Sequence, residues 1–71
     1  MTDYSLMAKF DLKRAVSCFI EEKEITNIKE LVSNLNVSLR KIRDTVKTLE
    51  QEGVITVRVI GVAKIISYNY G

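Results

Sequence analysis

Residues 37–55, VSLRKIRDTVKTLEQEGVI, carry the signals of one complete amphipathic helix. Ser38 has a side-chain oxygen that can accept a backbone N–H bond from the first turn, so we predict that it caps the helix. Since a helix advances by about 100° per residue, four apolar residues share a sector of about 80°: Leu39, Ile42, Val46 and Leu49. The rest of the circumference is polar, which predicts a helix over residues 38–52 with one face in the core.

The end of this helix has its own signature. Gly53 suits the left-handed position just after a helix, since it has no Cβ to clash. Val54 would then contact Leu49, the apolar pair of a Schellman motif. We therefore expect the helix to stop abruptly at Gly53.

The residues after the stop, VITVRVIGVAKIISYNY, are rich in β-branched side chains and contain Gly61 near their middle. This composition predicts a β-hairpin with strands over about 54–60 and 62–69. Side chains alternate along a strand, so Ile55, Val57 and Val59 are expected on one face and Arg58 on the other.

Two further helices are predicted upstream. The first follows Asp11, a plausible N-cap, and runs to about Glu22 with its apolar residues on one face: Leu12, Ala15, Val16, Phe19 and Ile20. The second covers about 28–34, and Asn27 with Glu30 fits a capping box at its start. Residues 35–38, LNVS, form a turn before the third helix. The expected fold class is α+β, with three helices followed by a two-stranded hairpin.

Composition excludes several classes of function. The chain has 71 residues with one cysteine, no histidine and three scattered glycines. We therefore expect no catalytic site, no metal site, no cofactor and no small-molecule site. Cys18 is interpreted as a small packing residue in preference to a redox sensor. No apolar run of membrane-spanning length and no signal peptide are found, so a cytoplasmic location without membrane contact is expected.

The turn, cap, basic helix and hairpin together resemble the winged helix-turn-helix family, in the form found in small prokaryotic, archaeal or archaeal-virus regulators. The resemblance covers residues 11–68, and its most specific part runs from Asn36 to Ile55. It implies a domain over residues 11–71 that binds double-stranded DNA sequence-specifically, with helix 38–52 in the major groove. It also implies a transcriptional regulator located at the nucleoid, or in the host cytoplasm for a viral protein. Repression by promoter occupancy is the simplest mechanism for so short a chain.

The charge distribution agrees with this resemblance. Residues 38–49 hold four cations and one acid, a net of +3, whereas the other 59 residues hold seven cations and eight acids, a net of −1. Local positive charge is what attraction to phosphates requires. The family places DNA contacts on the exposed face of this helix, which here comprises Ser38, Arg40, Lys41, Arg43, Asp44, Lys47 and Thr48. Base contact and phosphate contact both stay open for Arg40 and Arg43. The alternative is that these are solvated surface charges.

The hairpin departs from the pattern of a DNA-binding wing. Its tip, IGVA, is apolar, and the flanking cations Arg58 and Lys64 are its candidates for DNA contact. This favours an alternative function, a protein-interaction module that uses the apolar hairpin and the N-terminal segment.

Residues 1–10 are expected to form an arm or a helix extension. In a continuous helix, Leu6, Met7 and Phe10 would lie opposite the core stripe. Either the helix breaks near Asp11 or a second apolar face exists, and such a face would be covered by a two-fold partner. These three residues are therefore the candidates for homodimerisation, and an arm folded back over the core is the alternative.

Overall fold

The computed structural model describes residues 3–70, which form an α+β unit of four helices and a three-stranded antiparallel sheet. Residues 1 and 2 of the predicted arm and residue 71 of the predicted domain lie outside the described residues. The elements in chain order are α1 (Tyr4–Phe10), α2 (Leu12–Lys23), β1 (Ile25–Thr26), α3 (Ile28–Leu35), α4 (Leu39–Gln51), β2 (Ile55–Ile60) and β3 (Ala63–Tyr68).

The prediction of three helices is wrong, because the segment before Asp11 forms a separate helix, α1, ahead of the predicted first helix. The Asp11 N–H donates to the Met7 carbonyl at 2.9 Å and closes α1. The Asp11 carboxylate accepts from the Arg14 N–H at 3.1 Å and caps α2. The predicted N-cap is therefore confirmed, and of the two alternatives left open for residues 1–10 the structure shows the break near Asp11. The backbone at this residue, with φ −153° and ψ 89°, is not helical, and α1 packs back against α2 and α3.

The prediction of a two-stranded sheet is also wrong. Strand β1 pairs with β3 through Ile25 opposite Ser67 and Thr26 opposite Ile66, which gives the strand order β1-β3-β2. Two residues are too few to show an alternating pattern in the sequence. Glu24, in a positive-φ conformation at 69°, ends α2 and leads directly into this strand.

The capping predictions for the next two helices are confirmed in part. The Asn27 side chain accepts from the Glu30 N–H at 2.8 Å. The Glu30 carboxylate accepts a hydrogen bond from the buried Thr26 hydroxyl. In a capping box it would instead accept one from the backbone N–H of Asn27. Ser38 accepts from the Lys41 N–H at 3.4 Å, as expected of the N-cap of α4.

Helix α4 ends in the predicted Schellman motif. The Val54 N–H donates to the Leu49 carbonyl at 3.0 Å, and the Gly53 N–H donates to the Glu50 carbonyl at 3.1 Å. Gly53 has a φ of +79°, the left-handed conformation that favours glycine. The chain then enters β2 in the direction set by this turn.

The hairpin is close to its predicted extent. Its register runs from Ile55 opposite Tyr68 to Ile60 opposite Ala63, which leaves a loop of two residues, Gly61 and Val62. Gly61 has a φ of +62°, as the first loop residue of a two-residue hairpin requires.

The core lies between the four helices and one face of the sheet. It contains most of the residues predicted from helical and strand spacing: Ala15, Val16, Phe19, Ile20, Leu31, Leu35, Ile42, Val46, Leu49, Ile55 and Ile66. Leu39 was predicted to be buried and is 52% exposed, because it begins α4 at the edge of the apolar sector. Within residues 3–70, no helix is long and apolar enough to cross a membrane.

Helix α1 separates the three N-terminal residues proposed for dimerisation. Met7 packs against the core of its own chain, together with Tyr4 and Ala8. Leu6 and Phe10 remain exposed at 51% and 84%. The arm is therefore folded back over the core and still presents two apolar side chains to solvent.

Candidate nucleic-acid interface

A groove of about 940 Å³ lies between α4 and the hairpin, and α3 contributes to its lining. Its apolar lining residues are Ile28, Leu39, Val46 and Val57. Its charged lining residues are Arg40, Arg43, Asp44, Lys47, Glu50 and Lys64. Helix α4 forms one wall, and the hairpin supplies Lys64 and Val57 to the other.

The groove is electropositive. Its four cations and two acids give a net charge of +2, which equals the formal net charge of the whole chain. The seven cations and seven acids elsewhere cancel. Among residues 3–70 the one ion pair within 4 Å joins Lys13 to Glu52 at 2.5 Å, and neither residue lines the groove. The groove cations are thus free to meet an anionic ligand.

Packing of α4 fixes which of its sides faces the groove. Ile42, Val46 and Leu49 are buried in the core, so the helix cannot rotate without exposing them. The preceding turn is held by Asn36, which adopts the left-handed conformation at φ 54° and donates its N–H to the Val32 carbonyl at 3.1 Å. Asparagine tolerates this conformation better than most residues, which explains its use at the end of α3.

The structure brings together five of the nine predicted DNA-contact residues. Those that line the groove are Arg40, Arg43, Asp44, Lys47 and Lys64. Lys41 and Thr48 are exposed but lie outside the groove, and Ser38 caps the first turn of α4.

The two hairpin cations lie on opposite faces of the sheet. Lys64 lies opposite Val59 in the hairpin, and Arg58 lies opposite Ile65 in the next cross-strand pair. Because side chains of neighbouring pairs alternate between faces, Lys64 shares the face of Val59 and Val57, and Arg58 has the other. Only Lys64 joins the α4 cations in the groove.

Ser38 and Thr48, the two hydroxyl residues predicted to contact DNA, differ in whether the hydroxyl hydrogen is already used in a hydrogen bond within the protein. The Ser38 oxygen accepts its capping bond, so its hydrogen is free to donate to a phosphate oxygen. The Thr48 hydroxyl already donates to the Asp44 carbonyl at 3.1 Å. Since a phosphate only accepts hydrogen bonds, Ser38 is the better placed of the two.

Sequence reasoning named Asp44 but missed Glu50, Ile28 and Val57 as parts of the groove. Glu50 follows Arg43 by seven residues, two helical turns, and lies on the same side of α4. That spacing was a usable signal for Glu50. Ile28 and Val57 join the groove only through the packing of α3 and the hairpin around α4, which no local pattern reveals.

Tyr70, near the C-terminal end of the chain, lies outside the groove and has a side chain with a shifted pKa. Its hydroxyl donates to the Glu21 carbonyl at 3.0 Å, and its ring packs edge-on against Tyr68 with centroids 5.1 Å apart. Desolvation of the hydroxyl, followed by the negative charges of Glu24 and Glu21, raises the pKa of Tyr70 above its ordinary value of 10.0.

Other chemistry is sparse in the part of the chain that the structure describes. No group of three or more histidine, cysteine, aspartate or glutamate side chains there could hold a metal ion. Cys18 is half-buried and unpaired on α2. The hairpin tip, in contrast, exposes three aliphatic side chains: Val59 at 67%, Ile60 at 60% and Val62 at 107%.

Comparison of the chain with protein-family models finds no match, and comparison with curated proteins finds none either.

Proposed function

We propose that this protein is a winged-helix protein that binds double-stranded DNA and regulates transcription. The observation that carries the proposal is the groove, in which α4 and the hairpin together present four cations without an internal ion-pair partner. Such an arrangement attracts phosphates and releases their counterions. The order of the elements, with a short turn before a basic helix and a hairpin after it, supports the winged-helix assignment.

Helix α4 enters the major groove in this proposal. One phosphodiester strand lies in the protein groove, between Lys47 on α4 and Lys64 on the hairpin. Arg40 and Arg43 lie in the first turns of α4, where recognition helices reach base edges, and a guanidinium can bind guanine O6 and N7 together. Asp44 and Glu50 repel phosphates, so they restrict how the strand can lie.

A two-fold dimer completes the proposal. Leu6 and Phe10 lie one helical turn apart on α1, and both are exposed, so a second copy could cover them. Met7 is no longer a candidate contact, because it packs on its own core. Two α4 helices related by a two-fold axis would bind half-sites about 10 bp apart or a multiple of that. A dimer of this kind represses by occupying a promoter.

The test is a titration of a random-sequence duplex at low salt, with wild type and an Arg40→Gln, Arg43→Gln, Lys47→Gln triple variant. We expect wild-type affinity to fall steeply with salt and the triple variant to lose most of its affinity. Selection of bound duplexes from a random pool then tests sequence specificity, and the mass of the complex gives the number of protomers. Equal binding by both proteins, or no binding by wild type at low salt, would refute the assignment.

The exposed hairpin tip favours a second candidate, a protein-interaction module. The three exposed aliphatic side chains at the end of the hairpin are available to a partner surface. Association driven by them would be nearly independent of salt and insensitive to the triple variant, which separates this candidate from DNA binding.

A further inference from the structure

The hairpin tip has an apolar composition that the fold does not require. Val62 is fully exposed, and Ile60 before the turn is 60% exposed. Hairpin loops are usually polar, because apolar side chains there stabilise nothing in the folded chain. The requirement for a tight turn is already met by Gly61, whose φ is +62°. The aliphatic tip therefore has a use outside the folding of this chain.

The cations next to the tip indicate the chemistry of its target. Arg58 and Lys64 belong to neighbouring cross-strand pairs and lie on opposite faces of the hairpin. The tip thus has an apolar end with one positive charge on each side. The minor groove of DNA has the complementary arrangement, with a phosphate strand along each rim and stacked bases at its floor.

The position of Lys64 connects the tip to the proposed DNA-binding surface. Lys64 lines the groove opposite the cations of α4, so a phosphodiester strand held there runs between the helix and the hairpin. That strand separates the major groove from the minor groove. With α4 in the major groove, the tip beyond Lys64 lies over the adjacent minor groove.

We propose that Ile60 and Val62 form a wedge that enters the minor groove, partly unstacks one base step and bends the duplex. This inference rests on the proposed function, since it needs α4 to hold the DNA. Aliphatic side chains inserted between base steps bend DNA in other minor-groove proteins, and the bend increases the contact area that offsets the cost of unstacking. Pyrimidine–purine steps unstack most easily, so the wedge favours TA or CA steps.

A lipid surface is the main competing target for an apolar tip with basic flanks. The shape of the protein favours DNA. The cations on the two walls face a concave groove, which fits a phosphodiester strand, whereas a bilayer presents a nearly flat array of headgroups. A flat surface could meet the tip but could not reach both walls of the groove.

The test measures bending and unstacking separately from binding. The probe is a duplex of about 30 base pairs with central TA steps, labelled at its ends for energy transfer and carrying 2-aminopurine at a TA step. The variant is Ile60→Thr with Val62→Thr, which retains β-branching and charge. Its matched control is Ile25→Thr, because Ile25 is 64% exposed in the strand at the other edge of the sheet.

We expect wild type and Ile25→Thr to bend the probe and raise the 2-aminopurine fluorescence. The tip variant should lose both signals and bind about tenfold more weakly, with an unchanged salt dependence. Wild-type binding without bending or fluorescence change would overturn the wedge and leave the DNA-binding function intact. Absence of binding at low salt would overturn both. The wedge would also be overturned if the duplex stays straight and the tip is needed instead for binding to anionic phospholipid vesicles or for self-association.

Discussion

Two lysines on α4 offer a charge-matched test of where the backbone of a duplex lies in the proposed complex. Lys47 lines the groove between α4 and the hairpin, whereas Lys41 is exposed on the same helix outside it. Lysine and glutamine have similar helix propensities, so Lys47→Gln and Lys41→Gln each remove one positive charge with little change in α4 itself. If a phosphodiester strand occupies the groove, only the first variant loses a phosphate contact.

The size of the effect follows from the number of groove cations. If Arg40 and Arg43 contact phosphates as Lys47 and Lys64 do, the log-log salt slope has its steepest value, about −3.6, so raising salt from about 50 to 200 mM weakens binding about 150-fold. Removing Lys47 leaves three contacts, a slope of about −2.7 and a loss of about 40-fold over the same range. Lys41→Gln should retain the wild-type slope.

Fluorescence anisotropy of a labelled random-sequence duplex at four salt concentrations measures these slopes. Urea unfolding of both variants checks that stability is unchanged, as expected for exposed side chains. An equal change of slope in both variants would refute the argument, because the backbone would then contact both sides of α4. A larger change in Lys41→Gln would put the backbone on the far side of the helix.

Three further predictions concern the fold. Ile42→Ala should lower the free energy of unfolding by about 2–5 kcal/mol, because Ile42 is fully buried. Leu39→Ala should lower it by less than about 1 kcal/mol, because Leu39 is 52% exposed. Urea denaturation measures both changes. Gly53→Ala should cost about 1–2 kcal/mol in the same assay, since φ is +79° and no atom within 4 Å of the added Cβ contributes a clash. The pKa of Tyr70 is raised in the folded state, so the stability that Tyr70 contributes is present below its ordinary pKa of 10.0 and is lost as pH rises through the folded-state value. Thermal unfolding at alkaline pH should therefore show wild type losing stability relative to Tyr70→Phe. A difference between the two proteins that stays constant with pH would contradict this.

The local chemistry of the chain was predictable from its sequence. Asp11, Asn27 and Ser38 cap helices as expected, and Gly53 with Val54 makes the Schellman motif. Each of these features depends on a few consecutive residues whose hydrogen bonds close within one or two turns. The capping residues therefore act in the same way whatever the rest of the fold contains.

Features that depend on distant parts of the chain were not predictable. Strand β1 exists because β3 offers an unpaired edge, and its two residues show no pattern of their own. The exposure of Leu39 has a similar origin. Helical spacing assigns it to the apolar sector, but whether that end of the sector is covered depends on what packs beside α4.

The candidate site was predictable on the helix and only partly on the hairpin. The cations of α4 follow from its helical spacing, and alternation along β2 correctly placed Arg58 on the face away from Val57. The face of Lys64 depends on the length of the hairpin loop, since one more loop residue would shift its pairing and reverse its face. The two-residue loop at Gly61 therefore decides that a hairpin cation joins the groove.

The electrostatic and apolar parts of the proposed DNA contact are separable in one set of titrations. The slope of affinity against salt reports the number of cations that contact phosphates, and in the proposed complex most of these line the groove. Aliphatic contacts release no counterions, and they therefore add a constant to log affinity at every salt concentration. Lys47→Gln should change the slope, and Ile60→Thr with Val62→Thr should shift the line without changing its slope. A change of slope in the tip variant would mean that the tip orients the cations, and the two contributions would then not be independent.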